Sequence, residues 1–176
     1  MLSRSQQLLY QIIKDKKIVD DKTKLAKFQY LVDFIHFAFH NHTISDSTII
    51  YTKQKQGPLS RSLTDDLKFL IESGYIQEDA KFKYKIAKNL VTSFTREEHK
   101  TISYVLDKYG ELTRQELVDL SHSQTPYLSA DNGGIIELFT SYNLVDQYSD
   151  YAQKSTLPHS SKLSATASPM PLQACN

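Results

Sequence analysis

The stretch SRSLTDDLKFLIESGYIQEDAKFKYKI, residues 60–86, decides the fold. Ser60 stands where a helix N-cap belongs, and Leu63, Leu67, Leu70 and Ile71 follow at spacings of three and four. That spacing predicts a helix to Ser73 with one apolar face. Gly74 comes next, at the position past a helix end where a positive φ is common. Tyr75-Ile76 leads into a polar turn at Gln77 to Ala80, and strict alternation then begins. Phe82, Tyr84 and Ile86 share one face of a strand, with Lys81, Lys83 and Lys85 on the other. Helix, glycine, short strand, turn and basic strand is the order of a winged helix-turn-helix, with its wing at Gln77 to Ile86.

Outward from this core the chain reads as helical. Ser5 to Lys14 carries Leu8, Leu9, Ile12 and Ile13. A second helix runs from about Lys24 to His40, with Leu25, Phe28, Leu31, Val32, Ile35 and Phe39 on one face. At 100° per residue Tyr30, Phe34 and Phe37 fall on a second face, so this helix is either central and covered all round or offers an aromatic strip to a partner. The central placement is the preferred reading. Ile44 to Tyr51 is rich in β-branched residues and reads as a short extended piece, ended by the break at Gly57-Pro58. Thr95-Arg96-Glu97-Glu98 and Thr113-Arg114-Gln115-Glu116 are capping boxes, opening helices at Arg96 to Tyr109 and Arg114 to Ser121. Asp131 to Gly134 is a turn before a last helix from Ile135 to Tyr142. From Ala152 onward Ser, Thr, Pro and Ala dominate, so residues 1–151 are expected to fold and 152–176 to form a disordered tail. The fold class expected is mainly α, with a winged-helix-like core and a short β-hairpin.

Composition excludes several classes of function. A chain of 176 residues is one domain's worth. Its five glycines are too scattered to build a Gly-rich phosphate loop. The single cysteine, Cys175, excludes an internal disulfide framework and a Cys-based zinc site. No apolar run suits a signal peptide or a membrane span, which points to the cytoplasm. The net charge of +1 averages two unlike parts. Residues 1–100 hold 17 basic against 12 acidic side chains, and residues 101–176 hold four against eight. The first part can serve an acidic partner and the second a basic one.

Few residues invite chemistry. His36 and His40 lie one helical turn apart with His42 beyond them, a spacing that can bring two imidazoles to a metal. Core packing and a helix-end dipole account for the same residues. Ser121-His122-Ser123 is a polar helix end, since sequence neighbours rarely form a triad. The acidic pairs Asp65-Asp66 and Glu97-Glu98 sit in first turns, where carboxylates suit the helix N-terminus. No catalytic residue, metal ligand or cofactor is assigned. DNA is the serious alternative partner: Lys81, Lys83 and Lys85 can grip phosphates from the wing, with Lys53, Lys55 and Arg61 near the groove helix. Ser62, Thr64, Asp65 and Asp66 on the expected outer side of that helix argue against it.

Four stretches then point to a family. Lys24-Leu25-Ala26-Lys27-Phe28-Gln29-Tyr30-Leu31-Val32-Asp33 follows a K-L-x-K-L-x-Y-x-x-D pattern, and Lys55-Gln56-Gly57-Pro58-Leu59-Ser60 a Y-G-P-V-S turn. Leu112 to His122 follows L-S-x-E-E-L-x-x-L-T-H, and Thr125-Pro126-Tyr127 follows E-P-W. In order and spacing the chain resembles the Panacea domain (SocA-like antitoxin) family over residues 24 to 128. It departs at Gln56, where the family has an aromatic residue, and at Thr125, where an acid is usual. The resemblance implies a mostly helical domain of toxin–antitoxin pairs and phage-borne proteins, neutralising a cognate toxin by direct binding without cofactor or catalysis. It implies a partner surface at Lys27, Tyr30, Asp33, Gly57, Pro58, His122, Pro126 and Tyr127, together with the exposed side of the helix at 24 to 40. A second copy of the chain is a further candidate partner.

Overall fold

The computed structural model describes residues 2–79 and 82–156. Local signals start most of its helices. Ser3 and Gln6 form a capping box for α1 (Arg4–Lys16). After the short strand β1 (Ile18–Val19), the Asp21 carboxylate caps α2 (Lys22–His40) through the amides of Thr23 and Lys24. The hairpin β2 (Tyr51–Gln54) and β3 (Gly57–Ser60) precedes α3 (Leu63–Glu72), which is followed by β4 (Ile76–Glu78) and β5 (Tyr84–Ile86). Both expected capping boxes are present, Thr95 with Glu98 opening α4 (Arg96–Tyr109) and Thr113 with Glu116 opening α5 (Arg114–His122). The described chain ends with α6 (Thr125–Ser129), β6 (Ile135–Ile136), a 3₁₀ helix at Leu138–Leu144 and α7 (Ser149–Thr156). The fold is mainly α, as expected.

Helix α2 is the axis of the molecule. Every residue from Leu25 to His36 is buried, and α1, α4, α5, β3 and the 3₁₀ helix pack around it. The central placement is therefore the one adopted, and α2 has no exposed side between 25 and 36. Further along, Phe37 is half-buried against Tyr142 and Phe39 against Tyr151.

Two three-stranded antiparallel sheets flank the helices, in the orders β1-β5-β4 and β3-β2-β6. Gly74 follows α3 with a φ of 71°, as its position predicts. Several local expectations are corrected. Ser60 belongs to β3 and its hydroxyl meets the Ser62 hydroxyl, while Ser62 occupies the N-cap of α3 without a side-chain cap bond. Ile44 to Ile50 is a loop, because the Ile44 and Ser45 amides turn inward to the Asp33 carboxylate instead of pairing in a ladder. Ile135-Ile136 is an edge strand beside Tyr51-Thr52, clamped by reciprocal backbone bonds between Lys53 and Gly133-Gly134, so no α-helix starts there. Phe82 is not a strand residue. Its amide donates to the Asp79 carbonyl, its φ is 55°, and its ring is exposed. Helix α7 reaches Thr156, with Tyr151 buried; residues 157–176, Cys175 and most of the Ser/Thr/Pro/Ala-rich segment among them, lie outside the described residues. No described helix is long and apolar enough to cross a membrane.

Candidate functional site

Residues three apart on a helix climb one slanted ridge, and on α2 that ridge is Lys27, Tyr30 and Asp33. All three point at the hairpin. Lys27 Nζ donates to the Pro58 carbonyl at 2.8 Å, Tyr30 packs its ring edge-on to Tyr51 at 5.8 Å, and the Tyr51 hydroxyl donates to Asp33 Oδ2 at 2.6 Å. Asp33 Oδ1 accepts the amides of Ile44 and Ser45, both at 2.9 Å. Asp33 and Tyr30 are 0 % exposed. Burial raises the Asp33 pKa, opposed by its hydrogen bonds from Ser45, Tyr51 and Ile44. These two residues hold the loop and strand that carry the site and present no surface of their own.

Gly57 closes the site from the other side. Its φ is 92°, and a Cβ there would come within 2.5 Å of Ser121 Oγ and 2.8 Å of Lys27 Cε. The turn therefore lies directly between α2 and α5, where only a residue without a side chain fits. Beyond it the His122 and Tyr127 rings stack, with centroids 4.4 Å apart and planes 11° from parallel. The Lys53 ammonium sits 4.7 Å over the Tyr127 ring and donates to the Ala130 carbonyl, while the Tyr127 hydroxyl donates to the Gln54 carbonyl at 2.9 Å. Pro126 is buried at the start of α6.

Lys27, Gly57, Pro58, His122, Pro126 and Tyr127 thus gather around one feature, the β2–β3 turn and the helices that clamp it. Lys53 joins them, although the sequence grouped it with the DNA-facing residues. Sequence reasoning missed Ser121, Gln56 and Arg114. Arg114 donates from Nη2 to Gln56 Oε1 at 2.7 Å and stands 3.9 Å from the Asp21 carboxylate. In the sequence Ser121 reads only as part of a polar helix end with His122 and Ser123.

The electrostatics of this face are positive. Lys27 is 2 % exposed. Burial, then the nearby Arg114 charge, pulls its pKa down to about 7, with Asp21 opposing. Burial lowers the His122 pKa, helped by Lys27 and Lys53 against Asp119, and its Nε2 is buried without a hydrogen-bond partner among the described residues.

The model of the antitoxin SocA-like, Panacea domain family matches residues 25–127. The chain belongs to that family. The Panacea match begins within the first turn of α2 and ends at Tyr127, so it takes in the contacts just described except those to Asp21 and Ala130. Within this Panacea domain Gln56 accepts a hydrogen bond from Arg114, which ties the turn to α5. Thr125 is exposed at the first position of α6. Searches among curated proteins and among solved structures return no match.

The other candidates are dispersed. Lys53 lies in β2 and Lys55 in the β2–β3 turn, whereas Lys83, just before β5, and Lys85, within it, are exposed at the β1-β5-β4 sheet. Arg61 is exposed in the connection to α3, and Lys81 lies outside the described residues. On α3 Asp65 is exposed, but Asp66 is buried, contrary to its expected outward placement, because it falls on the apolar face with Leu63, Leu67 and Leu70. His36, His40 and His42 do cluster. His36 Nδ1 meets Thr101 Oγ1 at 2.8 Å, its Nε2 lies 3.2 Å from His42 Nε2, and His40 Nε2 meets the Tyr151 hydroxyl at 2.9 Å. Burial, with His40 and His42 beside it, pushes the His36 pKa down to about 3. The His36 and His40 rings are thereby used in packing α2 against α4 and α7, His42 is exposed beside them, and no described group of three or more His, Cys, Asp or Glu is arranged for a metal ion.

Proposed function

We propose that this chain is an antitoxin that neutralises a cognate toxin by direct, stoichiometric binding, and that the β2–β3 turn with its clamp from α2, α5 and α6 is the contact face. Membership of the antitoxin family supports a toxin partner in general. The observation that carries the face is the convergence of Lys27, Gly57, Pro58, His122 and Tyr127 from three separate stretches of sequence. Several of these groups are held by backbone carbonyls and a ring stack, a preorganised surface that loses little freedom when a partner docks. The test is co-expression with the product of the adjacent gene. Growth rescue together with a co-purifying complex supports the reading; neither rescue nor complex refutes it for this pair.

A winged-helix regulator that binds DNA is the second reading. The elements α1-β1-α2 and α3-β4-β5, with the β2–β3 hairpin inserted between α2 and α3 and β1 paired to β5, and the exposed Lys83 and Lys85 favour it. Asp65 on the outer side of α3 opposes it. Under this reading DNA affinity falls steeply with salt, and Lys83→Glu with Lys85→Glu flattens that dependence. Under the antitoxin reading the same pair of substitutions leaves toxin binding unchanged.

A further inference from the structure

Lys27 is a buried amine with no carboxylate paired to it among the described residues. Its ammonium has three donors, of which one reaches the Pro58 carbonyl. It enters no ion pair among the described residues. Asp21, the acid whose field favours its charge, is already engaged as the cap of α2 and lies beside Arg114. A buried ammonium without a carboxylate is costly to keep. An apolar residue of similar length would fill the same space at less cost, so packing does not explain a lysine here.

The surroundings say what it is suited to. Lys27 lines a recess of about 190 Å³ between Thr23 and Ala26 on α2 and Gln56, Gly57 and Leu59 on the hairpin. That is smaller than the roughly 300–1,000 Å³ of a small-molecule site, and it fits one short side chain. Lys22 also lines it, Arg114 is held nearby by Gln56, and His122 lies within the electrostatic reach of Lys27 and Lys53. We propose that this recess receives a carboxylate of the partner protein, an Asp or Glu side chain whose oxygen accepts the remaining N–H donors of Lys27. The source of the carboxylate rests on the toxin-binding reading; the recess itself does not. The lowered pKa adds a coupling. An arriving carboxylate favours the charged ammonium, so its binding draws in a proton near neutrality and weakens as the pH rises through the Lys27 titration. The charged groups around the recess are Lys22, Arg114, Lys53 and Asp21, and the nearby His122, its pKa lowered by burial, stays neutral there.

Two measurements test this. In the first, the ¹³Cε resonance of Lys27 in the full chain is titrated with propionate, with propionamide, and with sodium chloride at matched ionic strength. Propionate alone should move the titration midpoint upward; no movement, or equal movement with propionamide, overturns the carboxylate site whether or not the chain is an antitoxin. In the second, the Lys27→Met variant is compared with wild type for affinity to the co-purifying toxin. A loss of about 30-fold or more is expected for removing one partner of a buried charge pair, in a variant whose thermal midpoint is unreduced. Unchanged affinity overturns the proposal while leaving the antitoxin reading intact.

Discussion

Replacing Gly57 by alanine isolates the geometry on which the site depends. The backbone at this residue has a φ of 92°, and holding an L-residue in left-handed space costs about 1–2 kcal/mol. The added Cβ would also lie 2.5 Å from Ser121 Oγ and 2.8 Å from Lys27 Cε, so the hairpin must move off α2 and α5 or those side chains must shift. Overpacking of that kind costs about 1–3 kcal/mol. Together the two terms predict a loss of about 2–5 kcal/mol. For a chain of this size about 1 kcal/mol moves the thermal midpoint by about 2–4 °C, so the melting temperature should fall by about 4–20 °C. Calorimetry or denaturant unfolding reads the change directly. The double variant Gly57→Ala/Ser121→Ala removes the nearer clash, and its loss should be smaller than the sum of the two single losses by about 1 kcal/mol. A Gly57→Ala protein within about 0.5 kcal/mol of wild type, with additive behaviour in the double variant, would refute the claim that the turn is wedged between the two helices.

Lys27 should make stability depend on pH with a defined sign. Its folded pKa of about 7 lies below the ordinary 10.5, so between those values the unfolded chain binds more protons and stability rises with pH. Relative to Lys27→Met, wild type should therefore gain roughly 2–4 kcal/mol from pH 7 to pH 10, and the Met variant should be at least as stable at pH 7; denaturant midpoints of the two across that range check both. Asp33 distinguishes hydrogen bonding from charge. Both backbone amides go to Oδ1, which Asn retains, so Asp33→Asn should keep most of the stability. Asp33→Leu strands two amides and the Tyr51 hydroxyl and should cost about 3–6 kcal/mol by urea unfolding. Thr95→Ala removes the cap hydroxyl from the Glu98 amide and should cost about 1 kcal/mol, seen in the thermal midpoint.

What could be read from the sequence was whatever is decided locally. The boxes at Thr95 and Thr113 start α4 and α5 where they were expected, since a cap depends on residues three apart. The long run of apolar and aromatic side chains in α2 announced a helix covered all round. Ile135-Ile136 was misread because its state is set by Tyr51-Thr52, more than 80 residues earlier in the chain. Helix α7 went unread because Tyr151 has its partners, His40, Thr101 and Tyr104, on two distant helices. The site was legible as a set of residues and not as a geometry. Lys27, Gly57 and His122 could be named from their patterns, but nothing in them says that Gly57 lies between Lys27 and Ser121. Nor does the pattern reveal that Tyr30 and Asp33 face inward, because Asp33 is satisfied by backbone amides that no residue type announces.

The central claim, that a toxin docks on the β2–β3 turn and its clamp, is tested most directly by amide hydrogen exchange on the complex with the adjacent gene product. Added protection should concentrate in residues 22–27, 54–59 and 122–130, and diminish in the complex of Lys27→Met. Protection confined to the β4–β5 wing or to the 3₁₀ helix at Leu138–Leu144, with the turn unchanged, would contradict it.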